Sequence, residues 1–261
     1  MPRVNRVYLP GHAWHITHRC HKQEFLLKFE RDRQRWLPWL FQAKKRYGLC
    51  VLNYIVTSNH IHLLVLDTQP DCLSRSMQLI AGRTAQEHNQ RKHRKGAFWE
   101  DRYFATIVEM DAHLAKCLIY IDMNMIRAGV VSHPSQWEAS GYNEIQHPAH
   151  RYRIIDRFML KRLPGINTEE SLKESHNEWV HTELQKDDWQ RPPLWSQSFA
   201  VGRDVFVAEV RKQLAIRSEN EGGDQASDNE TKEACTSYKV DLPIEMRLLT
   251  DKNDDYVNII S

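Results

Sequence analysis

Ser58-Asn59-His60-Ile61-His62-Leu63-Leu64-Val65 is the stretch on which the reading of this chain turns. The run alternates and is rich in aliphatic residues, so it reads as a strand. A strand has period two, which puts His60 and His62 on one face. Two imidazoles side by side on a rigid element form half of a metal site. Working outward, Trp14-His15-Ile16-Thr17-His18 alternates as an earlier strand, and Cys50 to Thr57 reads as the strand joined to the histidines by the tight Ser58-Asn59 connection. Phe104 to Glu109 is a fourth strand.

Helical spacing fills the gaps. Trp36, Trp39, Leu40 and Ala43 predict a helix over about 30–47, stopped by Gly48. Leu73, Met77, Ile80 and Ala81 predict a second, capped by Asp71 and running to about Arg91. Leu114, Leu118, Ile121 and Met125 predict a third, capped by Asp111 and ending before Gly129. The order β-α-β-β-α-β-α is that of an α+β, ferredoxin-like split-βαβ fold. Four antiparallel strands are expected, backed by helices on one face, with one added C-terminal helix. Residues 1–145 are expected to form this domain and 146–217 a helical accessory region, with helices over about 168–186 and 203–217 packed by Trp179, Trp189 and Trp195. Residues 218–233, SENEGGDQASDNETKE, have almost nothing to bury, so 218–261 is expected to be a largely disordered tail.

Composition narrows the class. No apolar run approaches the length of a membrane span, and the N-terminus lacks the apolar centre of a signal peptide. Five scattered cysteines fit a reducing cytoplasm better than a disulfide framework. Residues 1–150 carry 20 Lys and Arg against 13 Asp and Glu, while 151–261 carry 16 against 21. A basic N-terminal part fits a polyanionic partner.

The third helix carries the chemistry. Tyr120 and Asn124 lie four residues apart, one turn along one face, with Arg127 near it. With His60 and His62 this gives three ligands, a nucleophile and a cation. The Asn124 carbonyl oxygen suits a hard divalent ion, and the imidazoles shift preference toward Mn²⁺ or another transition ion. Such an ion polarises a scissile phosphate. A free tyrosine ionises near pH 10, and a neighbouring cation favours the phenolate nucleophile.

These elements resemble the single-tyrosine HUH transposases, and among them the REP-associated tyrosine transposases. Asn59-His60-Ile61-His62 matches the HUH motif, and Tyr120-Ile121-Asp122-Met123-Asn124 the tyrosine helix. Asn124-Met125-Ile126-Arg127-Ala128-Gly129 is similar to the family's Asn-Pro-Val-Arg-Ala-Gly, with Met125 in place of proline. Gly96-Ala97-Phe98-Trp99-Glu100-Asp101-Arg102-Tyr103 resembles its aromatic-basic segment. Ser58 stands where many members have proline. The resemblance covers roughly residues 5–145. It implies a divalent ion (Mg²⁺ or Mn²⁺) held by His60, His62 and Asn124, with Tyr120 as the nucleophile. It also implies nicking and transfer of single-stranded or hairpin DNA through a 5′-phosphotyrosine, in a bacterial, nucleoid-associated monomer or homodimer.

Arg91, Lys92, Arg94 and Lys95 form a basic loop beside Phe98 and Trp99, the pairing of cations and aromatics that suits single strands. Arg83, Trp99, Arg102 and Arg127 complete the candidate DNA contacts. Tyr103 rivals Tyr120 as nucleophile. His12, His15, His18 and His21 recur every third residue, which on a strand scatters them over both faces; one or two are expected to face DNA. Two other functions fit the same residues: a hairpin-binding regulator with an idle site, and a metal phosphodiesterase that uses water.

Overall fold

The computed structural model describes residues 9–186 and 192–221. Five strands form one sheet: β1 Ala13–Arg19, β2 Cys50–Val56, β3 His60–Leu66, β4 Phe104–Val108 and β5 Ala200–Val201. Their order is β2-β3-β1-β4-β5. The first four are antiparallel neighbours in the ferredoxin-like arrangement. The short β5 is an addition: it joins β4 in parallel, through Ile107 beside Ala200 and Val108 beside Val201.

The helices are α1 Glu30–Gln34, α2 Leu37–Tyr47, α3 Cys72–Arg91, α4 Ala112–Asp122, α5 Asn124–Arg127, α6 Gly141–Gln146, α7 Arg157–Leu160, α8 Glu169–Leu184, α9 Leu194–Gln197 and α10 Asp204–Glu221. Among the described residues, no helix is long and apolar enough to cross a membrane.

Helices cover both faces of the sheet, not one. On one side lie α2 and α3, with Trp36 beside the Tyr54 ring of β2. On the other lies α4, reached by Asn53, whose Nδ2 donates to the Leu118 carbonyl. This double cover explains why β1, β2 and β3 are buried almost throughout. Alternation along β1 then sends consecutive histidines of the period-three series to opposite faces. His15 meets Tyr120 of α4, while His18 stacks on Trp99 with centroids 4.1 Å apart.

Local chemistry sets the element ends. The helix expected over 30–47 is two, α1 and α2, with Pro38 in the first turn of the second, where its missing N–H is harmless. Gly48 ends α2 in the left-handed conformation, φ +70°. Asp111 caps α4 as expected, accepting from the His113 N–H at 2.7 Å. Asp71 does not cap α3: its backbone is left-handed, φ +61°, and its side chain makes no cap bond. Thr168 and Ser171 form a reciprocal capping box at the start of α8.

The helices beyond Gln146 share the core of the sheet domain. Leu172, Trp195, Val201 and Val210 are buried in the same cluster as Ile16, Leu63 and Tyr120. Trp189 and residues 222–261, the greater part of the expected tail, lie outside the described residues; 218–221 continue α10.

Candidate active site

His60 and His62 leave β3 on the face covered by α4, with ring centroids 4.9 Å apart. Each is held through Nδ1. For His60 the partners are Asn59 Oδ1 at 2.7 Å and Thr57 Oγ1 at 3.0 Å. The roles can be assigned. The Asn59 amide nitrogen faces the Gln23 carbonyl, so its oxygen faces the ring. The Thr57 hydroxyl donates to the His60 carbonyl at 2.8 Å, so it accepts from the ring. His60 therefore carries a hydrogen on Nδ1, which in the neutral ring leaves the lone pair on Nε2, the tautomer that ligates a metal through Nε2. For His62, Nδ1 lies 2.9 Å from His15 Nε2 and 3.1 Å from Thr17 Oγ1.

Tyr120 comes from α4 to the same place. Its ring stands edge-on to His62, centroids 5.6 Å apart, and to His15 at 5.7 Å. The Arg127 guanidinium lies 4.4 Å from the ring centroid and also donates to the Tyr120 carbonyl. That second bond has a structural cause. The helix breaks at Met123 between α4 and α5, and the arginine satisfies a carbonyl near the break. Asn124 opens α5 and is buried; its Nδ2 has no hydrogen-bond partner among the described residues.

The fourth side of Tyr120 was not foreseen. Trp195 of α9 stacks on its ring, centroids 5.6 Å apart and planes tilted by 29°. The Trp195 carbonyl accepts from His15 Nδ1 at 3.0 Å, and the Ser198 carbonyl accepts from Thr106 Oγ1 at 2.8 Å. Tyr120 is only 4% exposed as a result. Burial lowers the His15 pKa to about 4, opposed by the bond to Trp195.

The basic loop is placed elsewhere and is partly committed. Arg91 pairs with buried Asp32, and Arg94 with Glu24 and the Ala97 carbonyl. Lys92 lies over Phe29 and Arg83 over Trp39. Lys95 and Arg102 are exposed, and Trp99 donates to the Ala81 carbonyl of α3. Trp99 thus serves the α3 side of the sheet, away from Tyr120. Tyr103, the rival nucleophile, stands edge-on to His18 on that side.

One group of three metal-type side chains occurs among the described residues: Glu109 and Asp111 between β4 and α4, and His113 in the first turn of α4. Arg203 already engages it, through Nε and Nη2 to Glu109 Oε1 at 2.8 and 2.6 Å and through its backbone N–H to Oε2 at 2.6 Å. Gly202 makes this possible, since a Cβ there would sit 2.7 Å from Glu109 Oε2. The group ties α10 to the end of β4.

The family described as transposase IS200 like matches residues 9–124, a span that takes in β1 to β4 and ends at Asn124. Residues 9–124 are thus similar to the IS200-like transposases. The chain is also similar to a solved REP-associated tyrosine transposase bound to a REP hairpin. Identity is 17% and the TM-score 0.47, over 60% of this chain and 94% of that one. A second solved structure, assigned as a transposase from Deinococcus radiodurans R1, is 16% identical with a TM-score of 0.34. It covers 46% of this chain and 96% of that one. No curated protein matches the chain. The match ends at Asn124, so α6 to α10, including Trp195, are contributed by sequence beyond the matched residues.

Proposed function

We propose that the chain is a metal-dependent enzyme that nicks and transfers single-stranded DNA at hairpin-associated sites. The observation that supports this most is the meeting of Tyr120 with His62 on one face of the sheet, centroids 5.6 Å apart. His60, His62 and Asn124 would hold the ion, and the fit is chemical: the His60 hydrogen bonds fix Nδ1 as a donor and leave Nε2 of the neutral ring as the ligating atom. A bound Mg²⁺ or Mn²⁺ supplies Lewis-acid polarisation of the scissile phosphate.

Tyr120 Oη attacks the phosphorus. The Oη–P bond forms, the P–O3′ bond breaks, and the departing oxygen takes a proton to become a free 3′-OH. The phenolic proton leaves to solvent. The 5′ end remains on the enzyme as a phosphotyrosine, from which a second 3′-OH can recover it. Arg127 holds the Tyr120 backbone and puts a positive charge over the ring. Access requires α9 to leave Tyr120, because Trp195 covers it.

That cover favours a second reading, a hairpin-binding regulator whose tyrosine stays sealed. One assay separates the two. The enzyme is expected to cleave a labelled hairpin oligonucleotide only with Mn²⁺ or Mg²⁺, and His60→Ala with His62→Ala to abolish cleavage while leaving hairpin binding within a few-fold. Binding without cleavage under either ion, in the wild type and in Trp195→Ala, supports the regulator and contradicts the enzyme.

A further inference from the structure

We infer that His15, outside both motifs, is a positioning residue that fixes the His62 imidazole with its proton on Nδ1 and its lone pair on Nε2, and that the Trp195 carbonyl sets this direction. The inference rests on the His60, His62 and Asn124 site proposed above and deepens it.

The geometry forms a chain of three groups. The Trp195 carbonyl oxygen lies 3.0 Å from His15 Nδ1, and His15 Nε2 lies 2.9 Å from His62 Nδ1. A carbonyl oxygen only accepts, so His15 Nδ1 carries a hydrogen. A neutral imidazole has one N–H, so His15 Nε2 is an acceptor and His62 Nδ1 must donate to it. The other arrangements fail. A proton on His15 Nε2 alone would set the bare Nδ1 against the carbonyl oxygen at 3.0 Å, lone pair to lone pair. Protons on both nitrogens would bury a cation at a fully buried position where its two hydrogen-bonding neighbours are a carbonyl and another imidazole, with no carboxylate among them. Thr17 Oγ1, 3.1 Å from His62 Nδ1, can accept from the same N–H.

His60 reaches the same tautomer by local means, through Asn59 and Thr57 in its own turn. His62 sits mid-strand, where no turn residue can reach it, and takes its orientation from the neighbouring strand instead. Its register partner is Thr17, with His15 two residues along the same face of β1. The consequence is an asymmetry between the two ligands. One is prepared by the matched residues alone, and the other through a carbonyl from the region beyond them. The segment that covers Tyr120 also orients His62.

Two measurements test this. In metal-free wild-type protein, long-range ¹H–¹⁵N correlation spectra read the His62 tautomer directly; a proton on Nδ1 is expected, and a proton on Nε2 would overturn the inference. Calorimetric titration with Mn²⁺ alone, without DNA, reads its consequence. His15→Phe is expected to weaken Mn²⁺ binding by roughly 10–100-fold, the usual loss when an orienting partner of a metal-ligating histidine is removed. His15→Gln, whose amide oxygen can accept from His62 while its nitrogen donates to Trp195, is expected to bind within about three-fold of wild type. A folded His15→Phe with wild-type affinity would overturn the inference, as would a His15→Gln as weak as Phe. Because the spectrum needs no metal, it judges His15 even in a protein that proves not to bind Mn²⁺, an outcome that would overturn the metal site itself.

Discussion

Asp67 closes β3 at the end away from His60. Its backbone N–H donates to the His12 carbonyl at 3.0 Å, and its own carbonyl accepts from Gly11 at 2.6 Å. Its side chain is buried, and burial pushes its pKa up to about 6, against hydrogen bonds from Gln69 and Leu73 that lower it. An unfolded aspartate ionises near 3.8. Between these values the folded chain holds a proton that the unfolded chain has released. Stability from this group is therefore complete below the unfolded value and is lost as pH rises through about 6. Asp67→Asn removes the titration. The melting temperature of the variant minus that of wild type is expected to rise between pH 4 and pH 7 by roughly 5 °C. A difference that stays flat over that range contradicts the assignment.

The same scale shows what single residues reveal. His60 and His62 could be read because period two places neighbours i and i+2 together, whatever the tertiary structure does. His15 could not. Its meaning comes from a carbonyl 180 residues away, and no local pattern encodes that. Backbone carbonyls belong to every residue, so sequence gives no sign of which one will accept.

At the scale of elements, α4 is anchored from both sides. Asp122 follows Tyr120 on that helix and is buried. It accepts from Asn53 of β2 at 2.9 Å and pairs with His176 of α8 at 2.8 Å. Gln146 of α6 meets the other His176 nitrogen at 2.9 Å. The tyrosine helix is thus clamped between the sheet and the accessory helices. His176→Ala would leave the buried Asp122 side chain without the imidazole N–H it accepts from, at a cost of about 1–3 kcal/mol. Urea unfolding is expected to show that loss; a change below about 1 kcal/mol, the scale of an exposed pair, would mean that the pair is not buried in solution. Helices α2, α3 and α4 were legible from apolar spacing, as was the Asp111 cap. The break at Trp36 and the failure of Asp71 to cap α3 were not, because both depend on backbone angles that a residue type permits but does not dictate.

At the scale of the whole molecule, the two parts that differ in charge are not two bodies. The chain beyond Asn124 adds a strand to the sheet, a clamp on α4 and a lid on Tyr120. The four-stranded unit was readable because its pairings follow from alternation and order. β5 has two residues, too few to show a period, and its place beside β4 is set by tertiary packing. On the proposed function, the lid would shield Tyr120 from DNA until α9 moves away. Whether Tyr120 performs the attack is open to direct test.

Full-length protein incubated with a hairpin oligonucleotide and Mn²⁺, then denatured, digested with nuclease and protease, and mapped by mass spectrometry, reads the attacking residue itself. A nucleotide phosphate is expected on the peptide containing Tyr120, and none in Tyr120→Phe. A nucleotide on the Tyr103 peptide, or cleaved DNA with no modified peptide, would contradict it.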